Sequence, residues 1–331
     1  MDLSTRYLGL ALRNPLIASP SPLNFDLGNI RRLEDAGAAA VVLPSMFEEQ
    51  IESEMHEVER LTSSGADSFA EALSYFPAAA KYHGGSEQYL DLIRRAREAV
   101  GIPIIASLNG VTHGGWTDYA RLAQEAGASA VELNIYFLPT DPALDGRAVE
   151  RRYLKTLTAV KAAVSIPVSV KLAPYFSSIG SLVRELEQAG ADGFVLFNRF
   201  YQPDIDLARL RLQRDLELSG RHEIRLPLLW VGVLAGKLRA SLAASTGVET
   251  SDEVVKYLLA GADAVMTTSA LLRHGVDYMK TLVDGLAAWV QARDFESLSV
   301  MRGLMSHRIV GDPTAFERAN YIEIIQGGRV S

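Results

Sequence analysis

Near-continuous runs of Ala, Val, Ile and Leu alternate along this chain with longer stretches whose apolar residues recur at helical spacing. The runs fall at about 14–19, 39–45, 102–108, 130–136, 167–173, 193–198, 239–245 and 262–268. Their lack of polar alternation is the mark of parallel strands covered on both faces. The amphipathic stretches predict helices near 27–36, 86–100, 117–126, 147–164, 178–189, 227–236, 251–260 and 275–292. Thr250-Ser251-Asp252-Glu253 supplies a capping start for the seventh. Eight strands alternating with helices predict an α/β chain folded as a (β/α)8 TIM barrel, with its chemistry at the C-terminal ends of the strands.

The junctions repeat. Ala-Gly-Ala occurs at 36–38, 126–128, 189–191 and 260–262, each time closing an amphipathic stretch and opening an apolar run. A left-handed glycine ends the helix, and the flanking alanines let it lie close to the next strand. Ahead of the first copy lies Asn14-Pro15-Leu16, and between later copies lie Ile102-Pro103-Ile104 and Ile166-Pro167-Val168. Each puts proline at a strand's first position, where no ladder donor is needed.

Three connections are long: 46–85, with its glutamates Glu48, Glu49, Glu52, Glu54, Glu57 and Glu59, then 137–146, then the charged 199–225. All follow strands on the expected active face, so the barrel carries elaborated βα loops that enclose substrate. The glutamate run reads as a solvated surface. Residues 1–331 are expected to form one domain, with a C-terminal helical extension over about 295–331 that includes a helix from Ala315 to Ile325.

Composition narrows the function. A hydrophobic fraction of 48%, a charged fraction of 22% and a net charge of −7 describe a soluble globular protein with no basic face for nucleic acid. No segment resembles a signal peptide or a membrane span, so a cytoplasmic location is expected. Cysteine is absent, which excludes disulfides, thiolate nucleophiles and cysteine-held iron–sulfur clusters. The six histidines (His56, His83, His113, His222, His274, His307) lack ligand spacing, and no metal site is expected. Gly232-Val233-Leu234-Ala235-Gly236-Lys237 is too short for a phosphate loop, and no Ser or Thr follows the lysine.

Candidate chemistry sits at the strand ends. Lys171 interrupts the apolar fifth run, so its ammonium is either an ion-pair partner or a charge aimed at a bound anion or electron-rich ring. Asn109, Asn134 and Asn198 end three other strands, and an amide offers the donor and acceptor that suit the edge of a uracil-like or flavin ring. Ser245-Thr246-Gly247 and Thr267-Thr268-Ser269 end the last two strands, where barrels commonly hold phosphate; simple turn and capping chemistry is the alternative.

Ala18-Ser19-Pro20, Glu132-Leu133-Asn134, the run Val170 to Phe176, Asn198 and the segments from Thr246 and Thr268 resemble the FMN-binding dihydroorotate dehydrogenases, above all the soluble class 1 branch. The resemblance covers most of the chain in order. It implies an FMN cofactor held by Ala18, Ser19, Ser45, Asn109, Asn134, Lys171, Asn198, Thr246, Gly247, Thr268 and Ser269. Lys171 would face the pyrimidine edge of the flavin and, with Asn134 and Asn198, serve the reaction. The implied activity is oxidation of dihydroorotate, a small-molecule substrate of pyrimidine biosynthesis, by a homodimer.

The chain also departs from the family pattern. The base position, three residues after the fourth strand's asparagine, holds Phe137, which cannot accept a proton. Tyr136 is the nearest hydroxyl and the candidate catalytic replacement, with Asp141 and Ser107 in reserve. A lysine–serine pair has become Pro44-Ser45, the asparagine loop has become Leu73-Ser74-Tyr75-Phe76-Pro77, and Arg199 replaces a small serine where it could meet a carboxylate. Three readings stay open beside the first: an FMN enzyme with another substrate, a non-catalytic flavin subunit of a redox assembly, and a flavin-free phosphate-binding aldolase or isomerase.

Overall fold

The structure, a computed structural model, describes residues 1–47, 86–109, 113–200, 202–213 and 217–310. The glutamate run from Glu48, the Leu73–Pro77 loop and the Ala315–Ile325 stretch lie outside these residues. An N-terminal hairpin, β1 (Thr5–Tyr7) and β2 (Leu10–Leu12), precedes β3 (Leu16–Ala18), β4 (Ala40–Phe47), β5 (Ile104–Asn109), β6 (Ala130–Asn134), β7 (Val168–Leu172) and β8 (Gly193–Leu196). A second hairpin, β9 (Asp204–Asp206) and β10 (Arg211–Gln213), comes before β11 (Ser241–Ala244) and β12 (Ala264–Thr267). The strands close in the order β11-β12-β3-β4-β5-β6-β7-β8, all neighbours parallel, and helices alternate with them in sequence. This is the expected (β/α)8 barrel.

The four Ala-Gly-Ala junctions share one hydrogen-bond pattern. Gly37, Gly127, Gly190 and Gly261 have φ of +101°, +100°, +102° and +118°. Each glycine N–H donates three residues back, to Glu34, Gln124, Glu187 and Leu258, and each following alanine donates five back, to Leu33, Ala123, Leu186 and Tyr257. That pair of bonds is the Schellman motif. The next residue then joins a strand: Ala39, Ser129, Asp192 and Asp263 donate to the carbonyls of Leu16, Ile104, Val168 and Leu242. The prolines behave as their chemistry requires, since Pro15, Pro103 and Pro167 donate nothing while their carbonyls accept from Val265, Val41 and Val131.

Side chains sort into two apolar layers. The larger lies between the barrel and its helices; the smaller, inside the barrel, gathers Ile17, Val42, Ile105, Val195, Ala243 and Met266 with Tyr7, Leu8 and Leu12 of the N-terminal hairpin. That hairpin plugs the barrel floor, a role the sequence pattern does not reveal. Its Leu8 lies where a Cβ on Gly193 would come within 2.5 Å, so this glycine makes room for the plug.

Two other features differ from expectation. The predicted helix 275–292 is present as Tyr278–Gln291, but a short helix that the pattern did not predict, Ser269–His274, precedes it and ends at Gly275 with φ +85°. The charged 199–225 connection contains the β9–β10 hairpin, which exposes Leu207 and Leu210. No helix among the described residues is long and apolar enough to cross a membrane.

Candidate functional site

Strand alternation turns Glu132, Asn134, Ser169 and Lys171 into the barrel, because Val131, Leu133, Val170 and Leu172 belong to the outer layer. Register places Asn134 beside Lys171 and Glu132 beside Ser169. The lysine therefore stands at the mouth and the glutamate one layer beneath it. Lys171 Nζ lies 3.6 Å from Glu132 Oε1, and both side chains are buried. Apart from this ion pair, neither Glu132 oxygen has a hydrogen-bond partner among the described residues. Burial pushes the Glu132 carboxyl above its ordinary range, a shift that Lys171 opposes. Burial, reinforced by the Glu132 charge, also pushes the Tyr7 phenol up.

A polar chain crosses the mouth beside this pair. Asn198 Nδ2 donates to Asn134 Oδ1 at 2.6 Å, Asn134 Nδ2 to Ser45 Oγ at 3.1 Å, and the Ser45 and Ser107 hydroxyls meet at 2.8 Å. Ser45 reaches the chain through a register irregularity: Val42 pairs with Ile105 but Ser45 with Ser107, so β4 carries one extra residue around Pro44. Asn109 ends β5 and is buried.

Helix tyrosines hold the strand ends in place. Tyr89 OH donates to Ser107 O and accepts from Ser107 N–H, Tyr153 OH donates to Ile135 O, and Tyr257 OH donates to Ser245 O and Thr246 O. Ile135, Ser245 and Thr246 lie just beyond the ends of β6 and β11, where a buried carbonyl needs another donor, while Ser107 lies within β5. Three helices thus fix the rim to which the polar residues are attached.

The last two strands frame a cavity whose lining includes Ser19, Lys171, Asn198, Thr246, Gly247 and Ser269. Thr246 and Gly247 both have positive φ, +83° and +74°. A Cβ on Gly247 would lie 2.6 Å from Ile224 Cγ2 and 2.8 Å from Gly220 O, so only glycine fits this close approach. Gly247 N–H donates to Ser219 Oγ, which also meets Ser269 Oγ at 2.9 Å. Thr246 Oγ1 donates to Phe197 O, and Thr268 Oγ1 to Pro20 O. Among the lining groups, the hydroxyls and turn amides suit an anion, and the cation and side-chain amide suit a flat, hydrogen-bonding ring edge.

The structure thus brings together Ser19, Lys171, Asn198, Thr246, Gly247, Thr268 and Ser269 around the cavity, with Asn134 and Ser45 joined to it through Asn198. Ala18 instead turns its methyl into the outer layer, leaving only its backbone for the mouth. Arg199 bonds Glu223 at 3.1 Å and also the Glu217 carbonyl, so its guanidinium ties down the segment over Gly247. Phe137 packs with its ring 4.3 Å from the Arg152 guanidinium carbon. Tyr136, 42% exposed, lies with its ring centroid 4.3 Å from that of Phe200, and the Tyr175 ring lies 5.7 Å from the same ring. Asp141 accepts from the nearby Ala143 N–H in its own loop.

Two contributors escaped the sequence reading. Glu132 was visible as a lone charge in an apolar strand, whereas Ser219 comes from a loop with no distinguishing pattern. Among the described residues no cluster of His, Asp and Glu could hold a metal. A second cavity, lined by Arg6, Arg239, Arg302 and Arg308, opens at the opposite end of the barrel. There Arg302 pairs with Asp263, while Arg6 and Arg308 donate to backbone carbonyls, as befits the stability face of such a barrel.

The dihydroorotate dehydrogenase family model matches residues 78–290. The catalytic subunit of dihydroorotate dehydrogenase B (NAD(+)) from Thermoplasma acidophilum is 27% identical, over 92% of this chain and 98% of that protein. Dihydroorotate dehydrogenase A (fumarate) from Lacticaseibacillus paracasei is 32% identical over 58% of this chain and 66% of its own. The NAD-dependent dihydropyrimidine dehydrogenase subunit PreA of Escherichia coli is 23% identical, over 93% of this chain and 78% of its own.

Proposed function

This chain belongs to the dihydroorotate dehydrogenase family, and from that premise we propose that it is an FMN-dependent oxidoreductase acting on a CH–CH bond of a small cyclic amide, with dihydroorotate the first candidate substrate. One observation carries the reading: Lys171 and Asn198, the latter hydrogen-bonded to Asn134, line the same cavity as the glycine-dependent turn at Gly247.

The donor set fits FMN. Thr246, Gly247, Thr268 and Ser269 would hold the phosphate, Ser19 and Ser45 would flank the ring, and Lys171 would face its pyrimidine edge. When bound, FMN supplies the hydride acceptor. The chain's own residues orient the reactants and balance charge. Lys171 would hold a positive charge where negative charge develops, and its burial makes that charge count for more than it would in water. Asn134 spends its amide on Ser45 and its carbonyl on Asn198, which leaves Asn198 Oδ1 for a ligand N–H. The tyrosine-braced rim keeps these groups in register.

Phe137 favours a second reading, in which the same FMN platform serves another substrate. A phenyl ring packed against Arg152 takes no proton, and a positioned base is worth ~10²- to 10⁴-fold in such a reaction. Anaerobic mixing of the purified yellow protein with dihydroorotate separates the two. Bleaching of the flavin absorbance supports dihydroorotate; a flavin that stays oxidised with dihydroorotate, but bleaches with a dihydropyrimidine, supports the second reading. A colourless protein that takes up no FMN defeats both.

A further inference from the structure

Among the described residues, the Glu132 carboxylate stands out as a poorly satisfied buried charge. Within that set both of its oxygens lack hydrogen-bond partners, it is fully buried, and its ionic neighbour is Lys171 at 3.6 Å. Among the described residues, the titratable groups that interact electrostatically with it are Lys171 from β7, Tyr7 from the floor hairpin, and Tyr89 from the helix Ser86–Ala99. Burial pushes both phenols up, so they stay neutral hydroxyls, and Lys171 is the single cation in the group. A buried carboxylate with such sparse solvation is poised between an ionised form that cancels Lys171 and a protonated form that does not.

We propose that Glu132 is a positioning residue that sets the net charge beneath the mouth: ionised, it anchors and cancels the Lys171 ammonium, and by accepting one proton from solvent it leaves that ammonium uncompensated when negative charge develops above it. The step is a single proton transfer from water to a carboxylate oxygen. No bond to the ligand is made or broken, and the proton returns to solvent when the negative charge leaves. Linkage makes the relation reciprocal, so an added negative charge above Lys171 raises the affinity of Glu132 for its proton. The proposal rests on the reading that Lys171 faces the flavin.

The test is the reduction potential of the flavin-loaded protein against pH, for the wild type and for Glu132→Gln and Glu132→Asp. The glutamine keeps the shape but holds the pair permanently at one positive charge. Glu132→Gln should favour the reduced over the oxidised protein by roughly tenfold to a hundredfold at alkaline pH, and should lose one inflection from the pH dependence. Glu132→Asp should retain the inflection at a shifted pH. A potential and slope unchanged in Glu132→Gln would overturn the proposal.

A second measurement, on flavin-free protein, keeps this failure apart from failure of the flavin reading. The carboxyl carbon of Glu132, followed by NMR as pH is varied, should titrate at higher pH in Lys171→Met than in the wild type. An unmoved midpoint would show that the two side chains are uncoupled and would overturn the proposal whether or not flavin binds.

Discussion

Replacing Gly247 with alanine probes the anion end of the cavity through a single methyl group. The added Cβ would sit 2.6 Å from Ile224 Cγ2, 2.8 Å from Gly220 O and 3.0 Å from Ile224 N. Two of those three atoms are backbone, so relief requires the Gly220–Ile224 segment to move. An L-residue at φ +74° costs about 1–2 kcal/mol, and forcing a methyl into a filled space costs about 1–3 kcal/mol more. For a chain of 331 residues the unfolding entropy is about 0.7 kcal/mol per kelvin, so the combined strain lowers Tm by roughly 3–7 °C. Should the segment shift instead, Ser219 leaves Gly247 N–H and Ser269, and the loss falls on ligand affinity. Thermal unfolding and a flavin-binding titration together cover both routes. The control is Gly180→Ala: a Cβ there meets nothing within 4 Å, and the position is helical, so stability should hold or rise by about 1 kcal/mol or less. Wild-type Tm together with wild-type flavin affinity in Gly247→Ala would refute the argument that this turn needs glycine.

Four further outcomes are expected. Lys171→Met strands the Glu132 carboxylate and should destabilise the fold by about 3–5 kcal/mol, with most of the loss recovered in the Lys171→Met/Glu132→Gln double variant, as denaturant titration of the three proteins will show. The Glu132 carboxyl lies above its ordinary 4.5 in the folded state, so the native protein binds more protons than the unfolded chain just above that pH. Stability should therefore fall as pH rises through the folded pKa, and Glu132→Gln should remove that part of the slope in Tm-against-pH scans. Tyr257→Phe removes the donor shared by Ser245 O and Thr246 O; a loss of about 1–2 kcal/mol by chemical denaturation, accompanied by weaker flavin binding, is expected. Tyr136→Phe should slow turnover about a hundredfold if that hydroxyl has taken over proton transfer, while unchanged steady-state rates would remove it from the reaction.

Local patterns account for the barrel because its junctions are local. Each Ala-Gly-Ala tripeptide closes its own helix through bonds three and five residues back, and each strand proline needs no partner for an N–H it lacks. These requirements are met within one turn of chain, so they are legible from residue type and spacing. The same holds for Lys171, Asn134 and Asn198: strand-end position alone identifies them as rim residues. Other features needed distant parts of the chain to meet. Lys171 acquires its ion pair because barrel closure sets β6 beside β7 and turns Glu132 and Lys171 to the same side. Ser45 reaches Asn134 only through the extra residue in β4. The floor is sealed by Tyr7 and Leu8, whose short hairpin has no pattern that points into a barrel. Helical and strand periodicity encode which face of an element is buried, but not which element will lie against it. Register, closure and long-range charge pairing emerge only when the strands assemble.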